Sequence, residues 1–364
     1  MKNDFELSNE ENSVFNPSNL TEQEINELIG SMQGDSINKN TSSPYYLDSK
    51  TLTELYDTKF DDMPSIIDNF LYQGAYLFAG SPKVGKSFLM CQIAEHVSKG
   101  IDLWDNHTKQ ATVLYLALED GYSRIQKRMY RMFGEEDNDN LYFSNETHTI
   151  SSGLIDQLTG FIDEHKNTKL IIIDTLKKIR DPKDDQYSYA NDYELIDVFK
   201  KFAAKNKLCI LIVHHTRKES SDDIFDMISG TNGLLGAADG AFVLYKEKRI
   251  SNEAILDVVG KDQTDKRFRL IKDKTLCWKL KETESAVEEI PDDPILIKIS
   301  SIINDNPIWK GSATDLAEKL DISLKPNALS RFLNVNAEVL MSKYNIQLEY
   351  KKTHTARLII LSKI

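Results

Sequence analysis

Residues 80–87 read Gly80-Ser81-Pro82-Lys83-Val84-Gly85-Lys86-Ser87 and match G-x-x-x-x-G-K-[ST], the pattern of a phosphate-binding loop. The two glycines allow a tight turn whose backbone N–H groups point inward at phosphate oxygens. Lys86 is expected to reach the β- and γ-phosphates, and Ser87 to offer its hydroxyl to Mg²⁺. Together with the next residue, the candidate nucleotide-binding set is Gly80, Ser81, Pro82, Lys83, Val84, Gly85, Lys86, Ser87 and Phe88.

A carboxylate that could anchor the cation ends the apolar run 171–173. Strand C-termini line the ligand crevice of open α/β sheets, so Asp174 would lie at that crevice. Hydrolysis needs a second Mg²⁺ anchor besides the loop. We therefore predict that Asp174 contacts Mg²⁺ through water or through Ser87.

A second carboxylate, Glu119, follows the apolar run 112–118. It would reach the same crevice, where a carboxylate can polarise the attacking water. Asp120 is the competing residue for this role, or else it caps a helix that starts near Tyr122.

Two adjacent histidines, His214 and His215, follow another apolar run, 209–213. A histidine at the crevice can hydrogen-bond a γ-phosphate and report its loss. Neighbouring residues on a strand point to opposite faces, which disfavours a shared metal ion. The pair is therefore interpreted as a phosphate sensor, with a purely structural pair as the alternative.

These residues need a scaffold of buried strands and helices to bring them together. Apolar residues at 89, 90, 93, 94 and 97 have helical spacing directly after the loop. Between residues 45 and 280 apolar strands alternate with helical stretches, which predicts an α/β fold with a mainly parallel sheet. Continuous apolar runs favour strands buried on both faces. The candidate strands are 75–79, 112–118, 141–143, 170–173 and 209–213, with antiparallel additions at 240–245, 254–259, 268–271 and 276–280.

The chain has 364 residues, a length that suggests two or three domains. Its net charge of −12 argues against a protein that coats nucleic acid non-specifically. Residues 1–70 hold 4 Lys and Arg against 14 Asp and Glu, so the acidity is mostly N-terminal and does not exclude DNA binding by the rest. Residues 1–44 are predicted to form a disordered acidic tail with a short helix at 21–29. This tail is either a solvated segment without function or a peptide that binds a partner.

No apolar stretch approaches the roughly 18 residues needed to span a bilayer, and the N-terminus is too polar and acidic for a signal peptide. The three cysteines, Cys91, Cys209 and Cys277, lie far apart and predict neither a disulfide framework nor a zinc site. We expect a cytoplasmic protein without a membrane partner.

The segment 281–294 is polar, acidic and ends in proline, and is predicted to be a linker to a small winged-helix-like domain over 295–364. Ser312 with Asp315 is typical of a helix cap and Pro326 of a first helical turn, which predicts a helix-turn-helix. Alternating residues on both sides of 353–355 predict a hairpin or wing. The candidate DNA-binding residues here are Lys325, Arg331, Lys351 and Lys352. Many winged helices bind protein instead.

In this order, the motifs resemble those of the RepA-like hexameric helicase group of RecA-like P-loop ATPases, which is related to the DnaB-type replicative helicases. The resemblance rests on 77–87, 113–120 and His214-His215-Thr216-Arg217-Lys218, with 229–239 adding to it. It covers about residues 70–280, within the domain predicted over 45–280.

The resemblance implies that ATP is the nucleotide, that Glu119 is the catalytic base, that Asp174 serves magnesium and that His215 is the sensor. It also implies a homo-hexameric ring with ATP bound between subunits and a basic finger supplied by the neighbour. A Lys-x-Arg pair is missing here, so Lys261 is the first choice for that finger, and a solvated turn lysine is the alternative. The DNA-facing loops implied are 177–183 and 217–236, with Lys177, Lys178, Arg180, Arg217 and Lys218 as their cations.

We expect an ATP-driven DNA motor, a helicase serving replication of a plasmid, phage or integrative element, in contact with other replication proteins. Two alternatives remain: an ATP-switched DNA-binding initiator or helicase loader, and a recombination-type ATPase, neither of which unwinds DNA. Unwinding with a polarity and turnover stimulated by single strands would distinguish the helicase.

Overall fold

The computed structural model describes residues 47, 49–60, 65–181, 189–217, 223–230, 232–261, 263–285, 293–352 and 357–364, with the backbone alone for Lys352 and Arg357. The chain divides into two compact units, Met1–Asp57 and Thr58–Ile364. The described part of the first unit holds helix α1 (Leu52–Asp57). The predicted acidic tail and its helix at 21–29 lie outside the described residues.

A nine-stranded sheet is the centre of the second unit, with the strand order β11-β10-β9-β8-β3-β7-β6-β4-β5. Its strands are β3 (Gly74–Gly80), β4 (Thr112–Ala117), β5 (Leu141–Ser144), β6 (Thr168–Asp174), β7 (Cys209–Val213), β8 (Gly240–Tyr245), β9 (Glu253–Gly260), β10 (Lys266–Lys272) and β11 (Trp278–Ser285), and a separate two-stranded sheet holds β1 (Ser65–Ile67) and β2 (Leu71–Tyr72). Strands β3 to β8 are mutually parallel, and β9 to β11 are antiparallel. The predicted α/β fold with a mainly parallel sheet is confirmed.

Helices cover both faces of this sheet. They are α2 (Lys86–Lys99), α3 (Tyr122–Phe133), α4 (Leu154–Glu164), α5 (Leu176–Ile179), α6 (Tyr189–Asn206) and α7 (Asn232–Ala237), and a 3₁₀ turn spans Ile224–Met227. Alternate strand residues enter different cores: Ile172 packs in the core with Leu89 of α2, and Ile173 in the core with Phe199 of α6. Burial on both faces is why the central strands read as continuous apolar runs.

The strand register aligns the ends of four parallel strands in one row. Ala117 of β4 pairs with Asp174 of β6, Asp174 with Val213 of β7, and Val213 with Phe78 of β3. Residues that follow these positions therefore emerge at the same edge of the sheet. The phosphate-binding loop, Glu119, Asp174 and the histidine pair all lie at these strand ends or within a few residues of them.

The C-terminal part builds its own core around Ile299, Leu316 and Leu333. Its elements are α8 (Pro294–Asp305), β12 (Ile308–Gly311), α9 (Ala313–Leu320), α10 (Pro326–Val335), α11 (Ala337–Tyr344), β13 (Ile346–Lys352) and β14 (Arg357–Lys363). The antiparallel sheet has the order β12-β14-β13. Ser312 and Asp315 form the reciprocal capping box at the start of α9, and Pro326 stands in the first turn of α10.

Two features differ from the sequence expectation. Strand β11 continues to Ser285, into the segment expected to be a linker, and its antiparallel pairing with β10 holds this polar stretch in the sheet. Helix α11 follows α10 with Asn336 as the shared boundary residue, and the sequence analysis gave no prediction for it. Within the described part of the chain, no helix has the length and apolar character to cross a membrane.

Candidate nucleotide-binding and hydrolytic site

The phosphate-binding loop joins the end of β3 to the start of α2. A Cβ on Gly80 would lie 2.5 Å from Leu244 O of the adjacent strand, so this position needs glycine because of the close backbone approach. Gly85 is the N-cap of α2 with φ 119°, a conformation that side chains rarely adopt. The local fold thus explains both glycines and leaves the first turn of α2 facing the loop.

Lys86 is buried beneath the loop and is held by loop carbonyls. Its Nζ donates to Gly80 O at 2.6 Å and to Ser81 O at 3.2 Å, and lies 3.3 Å from His215 Nδ1. Burial lowers the pKa of Lys86 to about 8, against the opposing charges of Asp174 and Glu119. Its surroundings therefore favour an additional anion beside this ammonium.

Asp174, the last residue of β6, is the buried acceptor of two hydroxyl groups. Ser87 Oγ and Tyr115 Oη each donate to its Oδ2 at 2.9 Å. Burial raises the pKa of Asp174, and the two hydrogen bonds oppose that rise. A carboxylate and a serine hydroxyl in contact form an oxygen donor set that suits Mg²⁺, which takes few protein ligands besides phosphate oxygens.

Glu119 lies beyond the end of β4 and is exposed. Thr175 Oγ1 donates to its Oε1 at 3.1 Å, which places Glu119 next to the end of β6. Asp120 does not cap α3, whose N-cap is Gly121 without a side-chain hydrogen bond. Asp120 instead pairs with two arginines of α3, Arg128 at 2.6 Å and Arg124 at 2.9 Å, so its carboxylate is engaged away from the role of a base.

The two histidines have different environments. His214 is buried, and its Nε2 lies 2.8 Å from Ser229 O. Burial lowers its pKa to about 4. His215 is the residue that faces Lys86, and burial followed by the Lys86 charge lowers its pKa. The structure therefore brings His215, not His214, to the loop.

Lys261 lies at the other end of the parallel strands from the phosphate-binding loop. It follows Gly260, which pairs with Gly240 at the start of β8, and its backbone N–H donates to Asp239 O at 2.9 Å. Lys261 is therefore not brought together with Glu119 within one chain. Any role in hydrolysis requires that it reach a nucleotide held by another subunit.

The cations expected to face DNA fall into two groups. Lys177 and Lys178 are exposed on α5. Arg180 is instead paired with the buried Asp192 of α6 at 2.6 Å. Arg217 Nη2 donates to Gly230 O, which joins the residues after the histidine pair to the start of the glycine-rich segment. Lys218 lies outside the described residues.

In the C-terminal part, Lys325 is exposed at the N-cap of α10 and Lys351 is exposed on β13. Arg331 lies on α10 and is partly buried. The side chain of Lys352 lies outside the described residues. A nucleic-acid role of these cations stays a prediction.

Sequence reasoning missed several residues around the loop. Tyr115 carried a signal, because a tyrosine in a buried strand needs a partner for its hydroxyl. Thr175 follows Asp174 directly and had no predicted role. Gln92 and Trp278 are joined by two hydrogen bonds, from Gln92 Nε2 to Trp278 O at 2.9 Å and from Trp278 N to Gln92 Oε1 at 2.7 Å. The two residues are 186 positions apart in the sequence, and no local pattern predicts their contact.

Comparisons with known proteins agree with this fold and loop. A family model described as an AAA domain (AAA_25) matches residues 41–221. The chain is 28% identical over 184 residues to the DNA repair protein RadA of Helicobacter pylori (strain J99 / ATCC 700824), which is 50% of this chain. That match covers 35% of RadA, so the chain spans about a third of the length of this relative.

Two solved structures are similar to the chain. One is a DnaB-like replicative helicase, described with its interactions with primase, at a TM-score of 0.51 and 13% identity over 71% of this chain and 72% of that one. The other is a single ATPase domain, at a TM-score of 0.48 and 16% identity over 58% of this chain and 85% of that one. The family match, the RadA match and the fold of the DnaB-like helicase support a RecA-like P-loop ATPase domain in this chain.

Proposed function

We propose that this chain is an ATP-hydrolysing motor on DNA and that it serves as a replicative-type helicase of a plasmid, phage or integrative element, within the RepA-like group. The observation that carries the proposal is the row of strand ends, where Lys86, the Ser87–Asp174 pair and Glu119 lie close together. Phosphoryl transfer needs these three groups: a phosphate cradle, a cation anchor and a residue that orients water.

In the proposed reaction, the loop and Lys86 bind the β- and γ-phosphates, and Ser87 and Asp174 hold Mg²⁺. When bound, Mg²⁺ neutralises charge on the phosphate oxygens. Glu119 accepts a hydrogen bond from the attacking water and aligns it. One of its oxygens accepts from Thr175, so the carboxylate is oriented before water binds.

His215 is proposed to report the nucleotide state. It contacts Lys86 through Nδ1, and its backbone O accepts from Ser229 N at 3.0 Å. Arg217 in turn donates a hydrogen bond to the backbone O of Gly230. Loss of the γ-phosphate would thus be transmitted from Lys86 through His215 to the segment that we expect to face DNA.

The active assembly is proposed to be a homo-hexameric ring, with Lys261 as the finger that a neighbour extends to the γ-phosphate. We assign the ATPase domain to 45–280 and a winged-helix-like domain to 295–364. The helices α9 and α10 with the β13–β14 hairpin support that second assignment. Lys325 and Lys351 would contact duplex DNA there, and Lys177 and Lys178 a single strand in the ring.

The test is ATP turnover with and without single-stranded DNA. We expect strong stimulation of the wild type by single strands and a loss of about 10²–10⁴-fold in Glu119→Gln. Glu135→Gln, an exposed residue beyond α3, is the control and should match the wild type. Turnover that single strands leave unchanged would contradict a motor on DNA.

A second candidate is a recombination-type ATPase, which the similarity to RadA, a DNA repair protein, favours. It shares the site chemistry but not the unwinding. Single-strand-stimulated turnover without strand separation would select it over the helicase, and slow turnover with nucleotide-dependent DNA binding would select an initiator or loader.

A further inference from the structure

A second lysine stands beside the phosphate-binding loop, and its strand lies on the opposite side of β3 from the strand that precedes His215. Lys272 ends β10, and its Nζ lies 4.3 Å from the centre of the Trp278 ring and 4.5 Å from that of Phe88. Among the described residues, no carboxylate lies within ion-pair distance of this Nζ and no oxygen or nitrogen accepts a hydrogen bond from it. No described residue therefore occupies the three N–H donors of the ammonium, which can bind an anion.

Lys272 lies directly against the loop. A Cβ placed on Gly85 would be 2.6 Å from Lys272 Nζ and 2.8 Å from Trp278 Cζ2. Gly85 is the N-cap of α2, whose first turn has no acidic residue and whose N-terminus has no side-chain cap. A cation at a helix N-terminus opposes the helix dipole, so this arrangement is unfavourable unless an anion binds there.

The position of Lys272 is fixed by the strand that follows. Trp278 is fully buried and joined to Gln92 of α2 through its backbone N and O. Trp104 Nε1 donates to Trp278 O at 2.9 Å, and Trp278 Nε1 donates to Gly85 O at 3.4 Å. The aromatic face under the ammonium is thus tied both to the helix and to the loop.

The free protein holds this charge at a cost. Burial lowers the pKa of Lys272 to about 8, and the nearby charge of Lys246 acts in the same direction. Lys246 Nζ lies 5.9 Å from the same Trp278 ring. Arg128 also lies over the Phe88 ring, but its charge is balanced by Asp120 at 2.6 Å.

We infer that Lys272 is a second phosphate-binding lysine, whose ammonium contacts the α- and β-phosphates of the bound nucleotide across the loop from Lys86. Lys86 serves the β- and γ-phosphates, while the backbone N–H groups of the loop cradle the α- and β-phosphates. Lys272 lies against Gly85, which belongs to that backbone, and against Phe88, which follows the loop. The inference rests on the nucleotide binding in the proposed function and not on DNA unwinding.

The test compares Lys272→Met with Lys274→Met, an exposed lysine in the following turn. Methionine keeps the apolar stem against Phe88 and Trp278 and removes the charge. We expect Lys272→Met to bind fluorescent ADP and ATP about tenfold more weakly than the wild type, and to the same extent for both nucleotides. The nucleotide-free variant should unfold at the same temperature as the wild type or higher, because the substitution removes the partly buried charge of Lys272.

Wild-type affinity for ADP in Lys272→Met would overturn the inference, and so would a loss confined to ATP. Weaker binding with a lower unfolding temperature of the nucleotide-free variant would assign Lys272 a structural role instead. A second measurement uses the unmodified protein: ADP should slow acetylation of Lys272 and leave Lys274 unchanged. Equal acetylation rates with and without ADP would also overturn it.

Neither experiment contains DNA. A wild type that binds ADP through Lys272 but does not separate DNA strands would contradict the proposed helicase and leave this inference intact.

Discussion

At the scale of single residues, the site holds buried side chains of opposite charge. Asp174 is buried with its pKa raised, and two hydroxyl groups stabilise its charged form. Lys86 is buried with its pKa lowered, and two carboxylates stabilise its charge. Each group is thus charged at some cost, which binding of phosphate and cation would repay.

His214 is the residue whose burial has the clearest consequence for stability. Its pKa in the folded protein is lowered to about 4 by burial, against about 6.5 in an unfolded chain. Between pH 6.5 and 4 the unfolded chain binds more protons, so the free energy of unfolding falls as the pH falls. Stability from a neutral His214 is fully present above pH 6.5 and is lost on acidification.

We predict that the wild type loses about 1–2 kcal/mol of unfolding free energy between pH 7 and pH 5 that His214→Gln does not lose. Glutamine cannot take up a proton but can still donate to Ser229 O. Urea unfolding at both pH values measures the difference. His107→Gln, an exposed histidine, is the control and should follow the wild type. An equal loss in wild type and His214→Gln would show that His214 does not titrate as described.

At the scale of elements, the site depends on how four strands end together. The register of β4, β6, β7 and β3 puts Ala117, Asp174, Val213 and Phe78 in one row. A shift of one residue in any of these strands would turn its last side chain to the other face. Because both faces carry packed apolar cores, such a shift would disrupt side-chain packing on each side.

Much of this arrangement was predictable from the sequence. Apolar runs bounded by Gly, Asp or His located the central strands to within about two residues, because burial on both faces removes polar residues from them. The capping box at Ser312 and Asp315 located α9 for a local reason as well.

The remainder depends on contacts that no local pattern encodes. Nothing in the order of residues places Trp278 against Gln92, or Lys272 against Gly85. Asp120 was a candidate for the base or for a helix cap, but the arginines of α3 engage it instead. Helix α11 had no predicted counterpart: it is short, buries only Ala337 and Leu340, and begins directly after Asn336, where α10 ends.

At the scale of the whole molecule, the proposed ring divides one catalytic site between two chains. Glu119 lies at the carboxyl edge of the sheet and Lys261 at the other edge. If Lys261 serves the neighbour's nucleotide, the two variants complement each other. A Lys261→Ala subunit keeps an intact Glu119, and a Glu119→Gln neighbour supplies the intact Lys261.

We predict that Glu119→Gln and Lys261→Ala, each with little ATP turnover alone, regain turnover when mixed. Random assembly restores about a quarter of the interfaces. Each active interface needs a Lys261→Ala subunit on the side of the site and a Glu119→Gln subunit on the side of the finger. Native mass spectrometry confirms that the subunits have mixed. Mixed rings whose turnover equals the sum of the separate variants would contradict a finger in trans at Lys261.

The central claim is that ATP hydrolysis at this site drives movement on DNA, and strand separation of a forked duplex tests it most directly. With ATP present, we predict that the wild type separates the strands and that Glu119→Gln, although it still binds ATP, does not. Hydrolysis of ATP by the wild type with the fork left intact would contradict the helicase. Separation by Glu119→Gln at the wild-type rate would contradict the assignment of the base.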